Sequence, residues 1–136
     1  MTKLRLICWG FVVVLAFAVV IGHVPAALDA EGRTFGIFKL NLYQDALHTV
    51  SALWALGATL TSHRAARFFL TYFGILYFID GVMGVITGSG YLDFGIFKNG
   101  WLDQPLSFKI LASAPHIVLG GIAILSVLFL DDKKKA

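Results

Sequence analysis

Four side chains able to carry a proton or hold a metal stand within long apolar stretches of this chain: His23, His48, Asp80 and His116. Each belongs to a different stretch. Ionisable groups inside membrane helices are expensive, and they face the protein interior or a watery cavity. Three kinds of chemistry suit such a set. Imidazole is a ligand for zinc, copper and haem iron, so His48 and His116 are candidate ligands for a metal or a haem. Asp80 with the histidines is a candidate path for protons or small solutes. The third use is structural, since buried polar side chains hydrogen-bond neighbouring helices for roughly 0.6–2 kcal/mol. No Ser-His-Asp arrangement, HExxH pair or Gly-rich phosphate loop is present, and no residue is assigned a catalytic role.

The elements that must position these groups follow from composition. Apolar residues make up 58% of the 136-residue chain and charged residues only 14%, with mean hydropathy +0.81. Soluble domains are nearer half apolar and a quarter charged. The net charge of +3 is no nucleic-acid signature, because the charges lie almost wholly between the apolar runs. The single cysteine, Cys8, excludes an internal disulfide framework. A lipid bilayer is the expected solvent.

Crossing about 30 Å of hydrocarbon takes roughly 20 helical residues. The runs predict helices at about 6–28, 44–62, 65–88 and 106–130 in a single transmembrane domain spanning 1–136. The second is marginal in apolar length, and the fourth reaches a full span only if it starts near Leu106 and continues through Pro115. A cleavable signal peptide is the rival reading of the first run, which is longer than the usual core of about 7–15 residues. Lys3 and Arg5, then Arg64 and Arg67, then Lys133, Lys134 and Lys135 mark alternate ends of the four runs. Basic residues in short flanks face the cytoplasm, so both termini are expected there, in a multi-pass protein of the cell membrane, with a bacterial inner membrane as the expected site.

The pentapeptide FGIFK occurs twice, at 35–39 and 94–98. Thirteen residues before each copy stands a glycine, Gly22 or Gly81, and after each comes a histidine, His48 or His116. The matching flanks point to two copies of one helical hairpin, about 6–62 and 65–130, in parallel orientation. Gly36, Phe38 and Asn41 belong to the first repeat loop, and Gly95 and Phe97 to the second. The two loops are then expected side by side on the non-cytoplasmic face. At about 1.5 Å per residue, His23, Asp45, His48, Asp80 and His116 all fall in the outer half and form a candidate buried polar cluster. Small residues on the same stripes, Ala55, Gly84, Gly88 and Gly120, are candidate helix-packing positions.

The stretch GIFKLNLYQDALHTVSA resembles the signature of a family of small four-helix bacterial integral membrane proteins catalogued as a domain of unknown function. That signature has the form GLFxVNxxHNxxHxxxG. Gly36, Phe38, Asn41 and His48 fall on it. His116 and Gly120 look like the family's second His-x-x-x-Gly. Gln44, Asp45 and Ala52 replace the first His, its Asn neighbour and the Gly. The resemblance implies an all-α, four-helix integral membrane fold and supplies no activity. On these grounds the expectation is a non-enzymatic accessory or scaffolding subunit, with other membrane proteins or a second copy as partners. A haem- or metal-binding redox protein and a small oligomeric channel or transporter stand as the alternatives.

Overall fold

Proline 25 decides where the first helix can end. Helix α1, Lys3–Ile21, gives way to Gly22, and Val24 is extended at φ −92° and ψ 110° ahead of a short 3-10 turn over Pro25–Ala27. A residue preceding proline is pushed out of the helical region. The helix expected over 6–28 therefore stops seven residues early, although apolar residues continue to Leu28, and His23 lies beyond its end. These features come from a computed structural model, which describes residues 1–132. The basic signal at Lys133, Lys134 and Lys135 lies outside the described residues.

Helix α2, Leu42–Thr61, starts on an Asn41 cap. The Asn41 Oδ1 accepts the Tyr43 and Gln44 amides, each at 3.1 Å. Caps of this kind are worth about 1 kcal/mol. The Asn41→Ala variant is expected to lose about that much stability in equilibrium unfolding, with α2 fraying first in amide exchange. Ser62 alone separates α2 from α3, His63–Thr87. Its hydroxyl accepts the Ala65 amide at 3.1 Å, so one residue both ends one helix and caps the next. Helix α3 closes on Gly88, left-handed at φ 81°, whose amide reaches the Gly84 carbonyl at 2.9 Å. A short helix α4, Gly95–Asn99, precedes α5, Leu106–Phe129, which runs through Pro115.

The described residues are all-helical, with no strand beyond isolated bridges at Leu28, Thr34 and Phe38. Three helices, α1, α3 and α5, are long and apolar enough to cross a membrane. Helix α2 has the length, at 20 residues, but Gln44, Asp45, His48, Thr49 and Ser51 hold its hydropathy down. The most extensive packing is between α3 and α5 and between α1 and α2, with α2 against α3 next. Arg5 donates to the Thr59 and Leu60 carbonyls at 2.6 and 3.3 Å, while His23 meets Asp45. Hence α1 and α2 lie antiparallel along their full lengths. At the Arg5 end, His63 Nε2 meets Asp131 Oδ1 at 2.8 Å, and the Lys3 amide donates to Asp132 at 3.2 Å. The start of α1, the turn from α2 to α3 and the end of α5 share this end.

The centre is a ladder of rings. Phe11 packs edge-on against Phe69 and Phe73, and Phe73 stacks on Tyr77 with centroids 3.9 Å apart. Phe69, Phe73 and Tyr77 are buried, whereas Phe68, Tyr72 and Phe78 face outward. Cys8 is fully buried against α3, its Sγ 3.8 Å from the Ala66 carbonyl. Ala55 is likewise fully buried. Glycine sets the closest helix crossing. A Cβ on Gly120 would lie 2.5 Å from the Phe78 nitrogen and 2.8 Å from the Gly74 carbonyl oxygen. Gly84 faces the Ser113 hydroxyl at a similarly tight approach. Gly88, expected as a helix-packing partner of Gly84, instead caps α3 and abuts Leu102 in the following loop.

Candidate functional site

Asp80 lies two turns before the end of α3 and is 5% exposed. Its Oδ1 accepts the backbone amides of Tyr91 and Leu92 at 2.8 and 2.9 Å, and its Oδ2 pairs with His116 Nδ1 on α5. The loop that folds over it must pass very close. A Cβ on Gly90 would stand 2.5 Å from Asp80 Oδ1, so only a glycine lets the backbone reach the carboxylate. One side chain thereby ties α3, α5 and the second repeat loop together.

Around this pair the structure gathers further groups. The His116 ring lies 4.8 Å from Tyr77 and 6.0 Å, edge-on, from His48. Ser51 and Tyr77 share a hydrogen bond at 2.8 Å. His48 is 6% exposed, and its Nδ1 has no hydrogen-bond partner among the described residues. One turn earlier on α2, Asp45 Oδ2 pairs with His23 Nε2 at 2.7 Å, while its Oδ1 is buried and without a partner among the described residues. Thus His48, Asp80 and His116 form one group, and His23 with Asp45 forms an adjoining pair. The His23 side chain is 67% exposed, so it belongs to the rim and not the interior.

The repeat loops bracket this end. Arg33 lies over the Phe108 ring of α5 at 5.9 Å, and Lys98 over the Tyr43 ring of α2 at 4.1 Å. Gln44 donates to Asp93 Oδ2 at 2.5 Å. The first loop therefore touches α5, and the second touches the start of α2. Phe35 and Phe94, the first letters of the two pentapeptides, have φ of 54° and 62° and are the non-glycine residues with positive φ among those described. After them the copies diverge: Gly36 is left-handed at φ 73°, whereas Gly95 opens α4. Among the other repeat positions, Phe38 amide and carbonyl both bond Thr34, and Phe97 is 79% exposed.

Tyr91 lies in this loop and donates its hydroxyl to the Leu76 carbonyl at 2.8 Å. Burial, with the nearby Asp80 charge adding to it, raises its pKa above the ordinary 10.0. A folded-state pKa raised above the unfolded one gives stability that is complete below pH 10 and lost as pH rises through the folded value. Unfolding measured across the alkaline range is expected to show that loss, and Tyr91→Phe is expected to flatten it.

A second polar group occupies the opposite end and was not singled out from the sequence. His63 contacts Thr2, Asp131 and, at 3.8 Å, Asp132. One ligand atom from each of His63, Asp131 and Asp132 lies within 4.8 Å of the others. Arg67 Nε already stands 3.3 Å from Asp131 Oδ2. The sequence signal was the position of His63 straight after a serine cap and of two acids straight after the last apolar run. Two shallow grooves, of about 440 and 520 Å3, lie along Val24–Gly36 and between Trp54 and Phe68. Neither is lined by His48, Asp80 or His116.

The fold and site define an all-helical protein with membrane-length apolar helices and an internal histidine–carboxylate cluster. Residues 25–120 match the family described as "Domain of unknown function (DUF4383)", and the chain belongs to that family. No curated protein and no solved structure matches it.

Proposed function

We propose that the chain is a four-span integral membrane protein built from two like hairpins, with both termini cytoplasmic, that acts without catalysis as an accessory or scaffolding subunit of a membrane complex. The observation that carries the non-catalytic reading is the saturation of Asp80. Both of its oxygens are committed to the protein's own backbone and His116, and neither groove opens onto it. Buried carboxylates used in this way hold helices and loops in register.

Helix α2 is the span that hydropathy leaves in question. It lies beside α1 from end to end, so it reaches the same depth as α1. Its polar residues His48, Ser51 and Thr59 are buried, which removes them from lipid. The outward faces carry Leu6, Val13, Phe17 and Val20 on α1, and Val118, Ile122, Leu125 and Phe129 on α5. Such faces suit lipid tails or the apolar helices of a partner. The like placement of Phe35 and Phe94, and the reciprocal contacts of the two loops, support the duplicated hairpin. The basic residues Lys3, Arg5, Arg64 and Arg67 at one end support a cytoplasmic placement of the termini in a bacterial inner membrane.

Reporter fusions at each terminus test the topology. Both reporters active on the cytoplasmic side are expected; opposite sides would mean an odd number of crossings and would remove the four-span reading. Gentle-detergent extraction tests the role. A stoichiometric membrane partner is expected, and a lone monodisperse monomer refutes it.

A further inference from the structure

We infer that the groove between α2 and α3, at the Arg5 end, binds one net-anionic phospholipid, with its phosphate at Arg64 and an acyl chain running toward Trp54. The inference goes beyond the scaffolding role and shares with it only the membrane placement of these two helices. Small residues make the floor of this groove of about 520 Å3: Gly57 and Ala58 on α2, Ala65 on α3. A Cβ on Gly57 would meet nothing within 4 Å, so the missing side chain leaves open space. Trp54 and Phe68 line the inner part, with ring centroids 6.2 Å apart. Trp54 also packs edge-on at 5.0 Å against Phe69, which is fully buried. That wall is therefore fixed before any ligand arrives. From Trp54 to Thr61 the groove runs about 10 Å along α2.

The mouth is polar and positive. Thr61, Ser62 and Arg64 line it, and no carboxylate does so among the described residues. The arginines at this end are not equivalent. Arg5 is committed to the Thr59 and Leu60 carbonyls, and Arg67 faces Asp131. Arg64 is exposed and makes no hydrogen bond or ion pair with another described residue. Its guanidinium presents paired N–H donors that match a phosphate. Ser62 Oγ accepts the Ala65 amide, which leaves its hydroxyl hydrogen for an acceptor such as a phosphate oxygen. A zwitterionic headgroup brings a cation together with its phosphate, and the groove offers that cation no carboxylate. The charge pattern thus favours a lipid with net negative charge. In the orientation proposed above, this end meets the cytoplasmic leaflet, whose surface is the anionic one. A soluble anion would leave the Trp54–Phe68 part uncovered, and an apolar helix of a partner would leave Arg64 without a counter-charge.

The test is native mass spectrometry of the full-length protein in mild detergent, titrated with phosphatidylglycerol and, separately, with phosphatidylcholine of the same acyl chains. One phosphatidylglycerol per chain is expected, bound about fivefold more tightly than phosphatidylcholine, the scale for one basic residue near a membrane surface. Arg64→Gln should erase that preference. Lys39→Gln, an equal loss of charge ahead of the other end of α2, should leave it intact. Gly57→Leu fills the open space and should weaken binding of both lipids. Its thermal midpoint should hold or rise, because leucine is the better helix former. Equal binding of the two lipids, a preference kept in Arg64→Gln, or undiminished binding in Gly57→Leu would each overturn the site. Displacement of the lipid by inorganic phosphate would overturn it in favour of a free-anion site. Topology and partner recovery are read separately, so loss of the lipid site would leave the scaffolding role standing.

Discussion

Replacing Asp80 with alanine is expected to cost about 3–5 kcal/mol of stability, the scale for removing one partner of a buried ion pair. The change strips a partner from His116 Nδ1 and from the Tyr91 and Leu92 amides at once. The loss should exceed that of any single apolar truncation on the outer faces, where little burial is forfeited. Asp80→Asn keeps one acceptor oxygen and should recover part of the loss. Equilibrium unfolding in detergent reads the size of the effect. Amide exchange at residues 91 and 92 reads its location, because those two amides should lose protection in Asp80→Ala well before the α1–α2 pair does. Unchanged protection there would mean that the loop is held by something other than the carboxylate.

The second large effect lies at the crossing of α3 and α5, where two adjacent glycines should respond with opposite signs. At Gly120, an added methyl would approach the Phe78 nitrogen to 2.5 Å and the Gly74 carbonyl oxygen to 2.8 Å. Both are backbone atoms, which cannot swing aside as a side-chain tip can. Overpacking of this kind costs about 1–3 kcal/mol and occasionally more. Alanine gains about 1 kcal/mol over glycine in helix propensity, which the clash outweighs. At Gly121 nothing lies within 4 Å of the added carbon, so Gly121→Ala should show the propensity gain alone. A thermal unfolding comparison of the two variants is expected to move the midpoint down for Gly120→Ala and up for Gly121→Ala. Equal shifts would mean that the helices re-seat around the added methyl.

The contrast shows what a linear sequence encodes. The stripe containing Gly120 was legible from its spacing to His116 and Ala123, because period 3.6 places them on one face. The partner of each glycine was not legible, since it depends on how two helices rotate against each other. The same division explains Gly88. Its spacing from Gly84 matches a helix-crossing motif, yet it sits where α3 must stop, and its left-handed φ serves as the cap. The early end of α1 was missed for another reason. Hydropathy rises through Val24, Ala26 and Leu28 alike, and it is blind to the missing amide hydrogen and restricted neighbour of Pro25.

The candidate site divides in the same manner. Depth along the helices placed His48, Asp80 and His116 at one level, and the structure brings these three into one group. Which groups pair depended on the loop. The amides of Tyr91 and Leu92 carry no side-chain signature, so Asp80 gave no sequence sign of being held by backbone. Gly90 was the available hint, as a residue whose missing Cβ permits close approach. His63 was overlooked because the acids that hold it, Asp131 and Asp132, lie 68 and 69 positions downstream and become neighbours only once the helices alternate in direction.

The 3.2 Å contact between the Lys3 amide and the Asp132 carboxylate has a topological corollary. A polypeptide whose first helix starts beside the end of its last is close to a ring, and chains of that kind tolerate relocation of their ends. A short flexible linker joining those ends, with new ends opened in the exposed stretch between Glu31 and Arg33, should yield a circular permutant that still assembles. In that permutant α1 would be encoded last, and the order of synthesis would no longer match the order of the two halves.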